Sequence, residues 1–453
     1  MVERPVQLGQ THEVEALRLN DDGHGVASIH GFTVFVPDLL PGERGLVEIT
    51  AVERRFARAQ LVGGRSVDAA QRTVPQCQVF GACGGCQLQH LSYPEQLRHK
   101  REMVTQALRR LAKLDVPVRP TLGMAEPWRY RNQVQVPLRF DPAIHRLRQG
   151  FFGPSSHRLV ETNHCRLEPE AMEDTIQSAV SMLNTKLGDV AQPIHHLIVR
   201  QSFATQEQML ILCVRQPGVL ALDVVRALMN LPHVVTVAET VQPRPHGPVW
   251  GKDVRILAGS PHLVERIGPL EFLISPRSFF QVNTAQAEVL YREALAAADV
   301  QAEDTVLDAY CGTGTLSLMF ASKAQRVVGI ETIAAAVHDA RKNAKHNGMD
   351  NVEFIVGEVE RVLPEQIRGG AHYDIALLDP PRKGCHPAVL HSLASARPRK
   401  IVYVSCNHVT LARDLRMLAD AGYEVSYVQP VDMFPQTGHV ECCSLLVRKD
   451  VAR

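Results

Sequence analysis

A cysteine stands where this chain could place a nucleophile. The run Ser405-Cys406-Asn407-His408-Val409-Thr410 follows Ile401-Val402-Tyr403-Val404. Four apolar residues in a row read as a buried strand, and Leu411-Ala412-Arg413-Asp414-Leu415 reads as the helix that follows. Such a junction lies outside the carboxyl end of a strand, where parallel α/β sheets hold their ligands. The nearby helix N-terminus is expected to favour the thiolate.

A second set of residues suits a nucleotide-like cofactor. Leu307-Asp308-Ala309-Tyr310-Cys311-Gly312-Thr313-Gly314-Thr315 follows a strand and opens a helix, and its glycines allow a sharp turn and close approach to a ligand. The third glycine of a dinucleotide fingerprint falls at Ser317, and the Gly-Lys-Ser/Thr of a P-loop is absent. NAD and ATP therefore lose ground. Glu331 ends the next strand, where an acid can take a ribose diol, and Asp379-Pro380-Pro381-Arg382 presents another acid at a third strand tip. A glycine turn with an acid and no phosphate cradle suits S-adenosylmethionine.

A third set lies far upstream. Cys77-x5-Cys83-x2-Cys86, with Cys165 downstream, offers four thiolates, which suit zinc or an iron–sulfur cluster. The Cys-x3-Cys-x2-Cys pattern of radical S-adenosylmethionine enzymes is not met, and spacing alone leaves zinc and cluster open.

Three kinds of element must position these groups. The chain has 453 residues, 45% hydrophobic and 21% charged, with a net charge of +1, which fits a globular protein of two or three domains. The near-neutral balance means that any nucleic-acid site is a local patch. No apolar run approaches the roughly 20 residues of a membrane span. Met1 to Pro5 lack a signal-peptide pattern, so a cytoplasmic location is expected. Ten cysteines in such a compartment argue for metal binding or catalysis over disulfides.

Residues 6–64 alternate apolar and polar in short segments, which predicts a small all-β barrel or sandwich. Arg54, Arg55, Arg58 and Arg65 suggest a phosphate-facing surface on it. Pro94 to Leu114 reads as a helix with a basic face. In the mixed region that follows, Arg129, Arg131, Arg139, Arg146 and Arg148 are interleaved with Trp128, Tyr130 and Phe140, a pattern suited to RNA as much as to a solvated sheet. From about residue 284 strands and helices alternate. Strands are expected at 305–309, 326–330, 352–356, 375–378, 401–404, 424–428 and 444–447, the last two joined as an antiparallel hairpin. The fold class is thus α/β, a doubly wound, Rossmann-like domain at the C-terminus behind a β-barrel and a mixed α+β centre. Expected boundaries are 4–65, 66–280 and 281–453.

With these features together, the sequence resembles the RNA 5-methyluridine methyltransferase family over nearly its whole length. The likeness takes in the N-terminal barrel (the family's TRAM domain), the cysteine loop, Ser278-Phe279-Phe280-Gln281-Val282-Asn283, Asp308 to Gly314, Asp379 to Arg382, Ser405-Cys406-Asn407, and Phe434-Pro435-Gln436-Thr437-Gly438-His439-Val440-Glu441. The resemblance implies S-adenosylmethionine contacts at Gln281, Tyr310, Glu331 and Asp379, a nucleophile at Cys406 and a proton-abstracting base at Glu441. It also decides between metals. The subset with Cys-Gly-Gly-Cys-x-Leu-Gln-His, here Cys83 to His90, carries a 4Fe-4S cluster, which implies Cys77, Cys83, Cys86 and Cys165 as its ligands. The implied partner is RNA, 23S ribosomal RNA first and transfer RNA as the alternative, with no membrane and a monomer expected. Two departures stand out: His408 occupies the family's usual proline position, and Glu358 stands where Asn or Asp is usual near the adenine.

The chemistry explains the residue types. Carbon 5 of uracil attacks a methyl sulfonium only after a thiolate has added to carbon 6. A base must then remove the carbon 5 proton so that the thiolate leaves. Among competing cysteines, Cys311 lies in the glycine turn, Cys442 and Cys443 read as core, and Cys385 sits in a loop after Lys383-Gly384 that sequence leaves open. An iron–sulfur redox protein would leave Glu441 unexplained; a non-catalytic RNA-binding protein would need neither Cys406 nor Glu441.

Overall fold

The computed structural model describes residues 5–244 and 247–450; Met1 to Arg4, on which most of the signal-peptide reading rests, lie outside them. The first unit is a six-stranded sheet with Thr11–Glu15, Arg44–Val52, Phe56–Val67, Phe32–Val36, Gly25–Ile29 and Arg18–Leu19 in spatial order. Its ends are drawn together where Ala16 donates to the Glu43 carbonyl (3.0 Å) and Leu17 to that of Val26 (2.9 Å), so the sheet curls into a barrel. Alternation turns Val14, Val34, Val47, Ile49 and Ala57 inward. The longest strand, Phe56–Val67, is missed by alternation because Gly63-Gly64-Arg65 interrupts its apolar pattern.

The central unit is a seven-stranded sheet, mostly antiparallel, between Gln133 and Gly259, with the helix Glu170–Leu187 on one face. The expected arginine surface is largely spent on structure here. Arg129 pairs with Glu173 at 2.9 Å, Arg148 with Asp141 (2.5 Å) and Glu161 (2.6 Å), and Arg131 is half-buried. On the barrel, Arg65 likewise pairs with Asp38 (2.9 Å) and Asp68 (2.7 Å), which leaves Arg54, Arg55 and Arg58 exposed.

The C-terminal unit carries the alternation that its sequence foretold. Its strands are β1 (Thr305–Asp308), β2 (Arg326–Glu331), β3 (Val352–Val356), β4 (Ile375–Leu378), β5 (Lys400–Ser405), β6 (Tyr423–Val431) and β7 (Glu441–Arg448). Their order is β3-β2-β1-β4-β5-β7-β6, the first five parallel and β7 antiparallel to both neighbours. The chain therefore reverses its direction of travel between β1 and β4, which opens a crevice at their carboxyl ends.

Apolar residues fill both faces of this sheet. The helix α1 (Tyr93–Ala107), a wider, π-helical extension over Leu108–Ala112, and residues 114–122 pack on the same core. Val118 and Leu122 bridge β6 at Val428 and Val431, so this segment covers the sheet's outer edge. Lys100 of α1 is fully buried and pairs with Asp432 at 2.5 Å. Among the described residues, no helix is long and apolar enough to cross a membrane.

Candidate active site

Strands β1, β2, β4 and β5 deliver their last residues to one edge. After β1 the chain turns through Gly312 and Gly314, whose φ angles of +52° and +83° suit glycine. Asp308 is buried; its Oδ2 accepts the Ser317 hydroxyl at 2.6 Å while Oδ1 has no partner. Burial pushes its carboxyl up to about 6. Glu331, ending β2, accepts from the Gly312 amide at 3.2 Å and the Ile333 amide at 2.9 Å. Each of its oxygens keeps acceptor capacity beyond these bonds, as binding two hydroxyls requires. Asp379 follows β4, and burial together with the charge of Asp308 pushes it up to about 7.

Gln281 comes from a different direction. Its segment is held to the central unit by Asn132, whose side chain donates to the Gln281 carbonyl (2.8 Å) and whose amide donates to that of Val282 (2.8 Å). It is held to the glycine turn by Thr313, which donates to the Phe279 carbonyl at 3.2 Å. Tyr310 extends from the turn to the Cys385 thiol. Cys385 is 3% exposed, and its amide donates to Asp414 at 2.8 Å. The cysteine that sequence left open is a buried structural one, its thiol pushed up to about 12 by burial. Cys442 and Cys443 are core residues, as their positions suggested.

Cys406 and Glu441 meet through strand register. Ser405 of β5 pairs with Cys442 of β7, so the next position on each strand brings Cys406 opposite Glu441. Asn407 caps the following helix, α2 (His408–Asp420), by accepting from the amides of Val409 (3.0 Å) and Thr410 (3.4 Å). Cys406 is half-buried, whereas Glu441 is 3% exposed. Burial, and then the charge of Asp379, raise the Glu441 carboxyl far above its ordinary range.

One expectation is corrected here. The helix start does not hold Cys406 as a thiolate in the free protein: burial, then Glu441 and Asp379, push its thiol up to about 11. Asn407 already takes two of the free amides at that helix end, and desolvation, with two acids beside the sulfur, outweighs what is left.

Arg382 is the residue that sequence quoted without assigning a role. Its charge opposes the upward shifts of both Cys406 and Glu441. Its carbonyl accepts from Asn407 (3.0 Å) and Thr410 (3.2 Å), and its guanidinium meets His439 Nδ1 at 3.1 Å. A cation after Asp-Pro-Pro, beside two acids and a thiol, was a readable signal. Glu358 instead pairs with Arg361 at 2.9 Å on the surface.

The four upstream cysteines also meet. Cys77, Cys83, Cys86 and Cys165 line one cavity of about 90 Å³ with Arg131 and Glu168, and all are free thiols. Burial raises the thiols of Cys83, Cys86 (to about 11) and Cys165. Yet among the described residues no three His, Cys, Asp or Glu groups close in as a single-ion site would. Arg131 lines the same cavity, its Nε without a partner. Four sulfurs on one cavity are donors that a zinc ion or an iron–sulfur cluster takes.

Comparisons with known proteins agree with this architecture. Residues 270–449 match the family described as tRNA (Uracil-5-)-methyltransferase, and residues 5–62 match the TRAM domain. A protein of Halalkalibacterium halodurans described as an uncharacterized RNA methyltransferase is 40% identical, over 98% of this chain and 99% of its own length. One from Clostridium tetani with the same description is 38% identical, over 98% and 97%. Among solved structures, the Pyrococcus abyssi tRNA (uracil-54, C5)-methyltransferase in complex with S-adenosyl-L-homocysteine superposes with a TM-score of 0.75 at 25% identity, covering 96% of this chain and all of that one.

Proposed function

Because the chain belongs to the RNA uracil-5-methyltransferase family, we propose that it methylates carbon 5 of uridine in 23S ribosomal RNA, with Cys406 as nucleophile and Glu441 as base. It is an S-adenosylmethionine-dependent enzyme acting on RNA. The observation that carries the mechanism is the opposition of Cys406 and Glu441 on β5 and β7, beside Asp379.

S-adenosylmethionine supplies an electrophilic methyl group. Glu331 would take its ribose hydroxyls, and Gln281, Tyr310 and Asp379 would complete its pocket. Cys406 gives up its proton to solvent, and its sulfur bonds to carbon 6 of the uracil as the carbon 5–carbon 6 π bond breaks, which leaves carbon 5 nucleophilic. Once carbon 5 is methylated, Glu441 removes its remaining proton, and the Cys406 sulfur leaves as the ring double bond re-forms. A carboxylate whose pKa is raised by burial is a stronger base than one in water, so the same surroundings that make Glu441 hard to ionise suit it to this step. The positive sulfonium and Arg382 together offset the two carboxylates that disfavour the Cys406 thiolate.

Cys77, Cys83, Cys86 and Cys165 would hold a 4Fe-4S cluster that pins the loop carrying them to the central unit near the RNA. We place the enzyme in the cytoplasm, where such a cluster and free thiols persist, as a monomer. Transfer RNA is the second reading, because the superposing Pyrococcus enzyme is named for a tRNA uridine.

The deciding experiment supplies labelled S-adenosylmethionine and unmodified total RNA, then maps 5-methyluridine. Label in 23S RNA is expected; label in transfer RNA alone overturns the substrate. Cys406→Ala should abolish methyl transfer and RNA–protein adducts while S-adenosylmethionine still binds; full activity in that variant sinks the mechanism. Iron and sulfide analysis of protein purified without oxygen tests the cluster, and a colourless, zinc-loaded product refutes it.

A further inference from the structure

The first turn of the barrel reaches the active site. Asn20 to His24 connect Arg18–Leu19 with Gly25–Ile29, and the turn is fixed from within. Asn20 Oδ1 accepts from the amides of Asp22 (3.1 Å) and His24 (2.8 Å), and the Asn20 carbonyl accepts from that of Gly23 (3.0 Å).

The outer surface of this turn is packed against four other segments. A Cβ added to Gly23 would lie 2.8 Å from the Gln87 carbonyl, and one added to Gly438 would lie 1.9 Å from that of Asp21. The half-buried His99 of α1 meets the Asn20 backbone. The Asp21 carboxylate lies 3.4 Å from His408 Nε2, the His408 side chain being only 14% exposed. Arg18 and His99 are the other charged or titratable groups that act on Asp21. Lys100 stands behind His99, and Asp22 faces His439.

These contacts fall on both walls of the reaction site. His408 is two residues after Cys406, and Gly438 is three before Glu441. Strand register fixes the backbones as far as Ser405 and Cys442; the residues just beyond, Cys406 to His408 and Gly438 to Glu441, are held as well by what touches both stretches. We propose that the Asn20–Gly23 turn is a brace that sets Cys406 against Glu441, with His408 acting through Asp21 as a positioning residue for the nucleophile. The inference rests on the methylation chemistry assigned to that pair. It gives a use to the histidine in the family's proline position: the rigidity a proline would build into the helix start is supplied by a contact from another domain. It also makes barrel seating a determinant of the chemical step as well as of RNA affinity.

The test uses the full chain with Asp21→Asn, His408→Ala and their combination. Each single variant should lower kcat for 5-methyluridine formation by about three- to tenfold, with the RNA KM and the S-adenosylmethionine Kd unchanged. The double variant should be no worse than the poorer single one. The exchanged pair, Asp21→His with His408→Asp, should recover most of kcat. Independently of any RNA, iodoacetamide should alkylate Cys406 faster in both single variants at pH 8, read by peptide mass spectrometry. Unchanged kcat and unchanged alkylation in variants with wild-type melting temperatures overturn the brace. So does a raised RNA KM at constant kcat, which would make the turn an RNA contact only. If wild-type protein forms no 5-methyluridine, the functional reading falls, and alkylation still judges the brace. Asp21→Asn, nearly isosteric and on an exposed side chain, carries the test if His408→Ala does not fold.

Discussion

Cys406 in the free protein is a poor thiolate, and this has a measurable consequence. With the thiol pushed up to about 11, the reactive fraction rises roughly tenfold per pH unit well past the ~8.5 of an ordinary cysteine. Alkylation of Cys406 should climb steadily from pH 7 to about 10 in cofactor-free protein; a plateau near pH 9 would contradict the buried carboxylate cluster. Asp379 makes a second case. Burial, and then the charge of Asp308, push its carboxyl up to about 7 from the ordinary 3.8. Folding favours the protonated form, so its contribution is full below about pH 4 and is lost as pH rises through 7. Asp379→Asn is neutral throughout. It should match wild type near pH 4 and gain roughly 2 kcal/mol by pH 8, a figure discounted for partial exposure, while losing S-adenosylmethionine binding. Denaturant unfolding at the two pH values checks the sign.

At the scale of elements, the site depends on pieces that lie far from it in sequence. The helix α1 is tied to the stretch leading to Glu441 by Lys100, which bonds Asp432 at 2.5 Å and the Phe434 carbonyl at 3.0 Å. Gln96 adds bonds from its side-chain nitrogen to Gln436 (2.9 Å) and to the Leu88 and Leu91 carbonyls. Breaking a buried ion pair from one side leaves a charge stranded. Lys100→Met should therefore cost about 3–5 kcal/mol of stability, seen as a lower denaturant midpoint, and a loss below 1 kcal/mol would show that the pair is not buried in solution. Sequence showed α1 as a helix with a basic face, but nothing in its pattern marked Lys100 as the residue that turns inward.

For the whole molecule, the cysteine cavity and the barrel make one assembly with the catalytic sheet. Tyr130 donates to the Pro435 carbonyl at 3.0 Å, and the amides of Gln87 and Leu88 both reach the Gln436 carbonyl at 3.0 Å. The loop before Glu441 is thus pinned by the segment that ends the cysteine motif. Cys86→Ser should release iron, lower the melting temperature and reduce methylation together. Loss of iron with full activity and an unchanged melting temperature would detach the cavity from the catalytic unit.

What the sequence determined by itself was local and periodic. The seven strands of the C-terminal unit, the glycine turn, the acids at Glu331 and Asp379 and the cap at Asn407 all follow from patterns a few residues long. Alternation and turn chemistry are short-range physics, and they survive into the fold with shifts of a residue or two. The long-range pairings were decided only by tertiary structure. Strand register brought Cys406 across from Glu441, and burial beside two carboxyl groups pushes its thiol up where a thiolate was expected. Ion pairing engaged Arg65, Arg129 and Arg148 with neighbouring acids, which no window of sequence showed. The partner of His408 turned out to be an aspartate nearly four hundred residues away. A side chain's charge and company depend on what the fold brings within a few ångströms, and no window of sequence contains that.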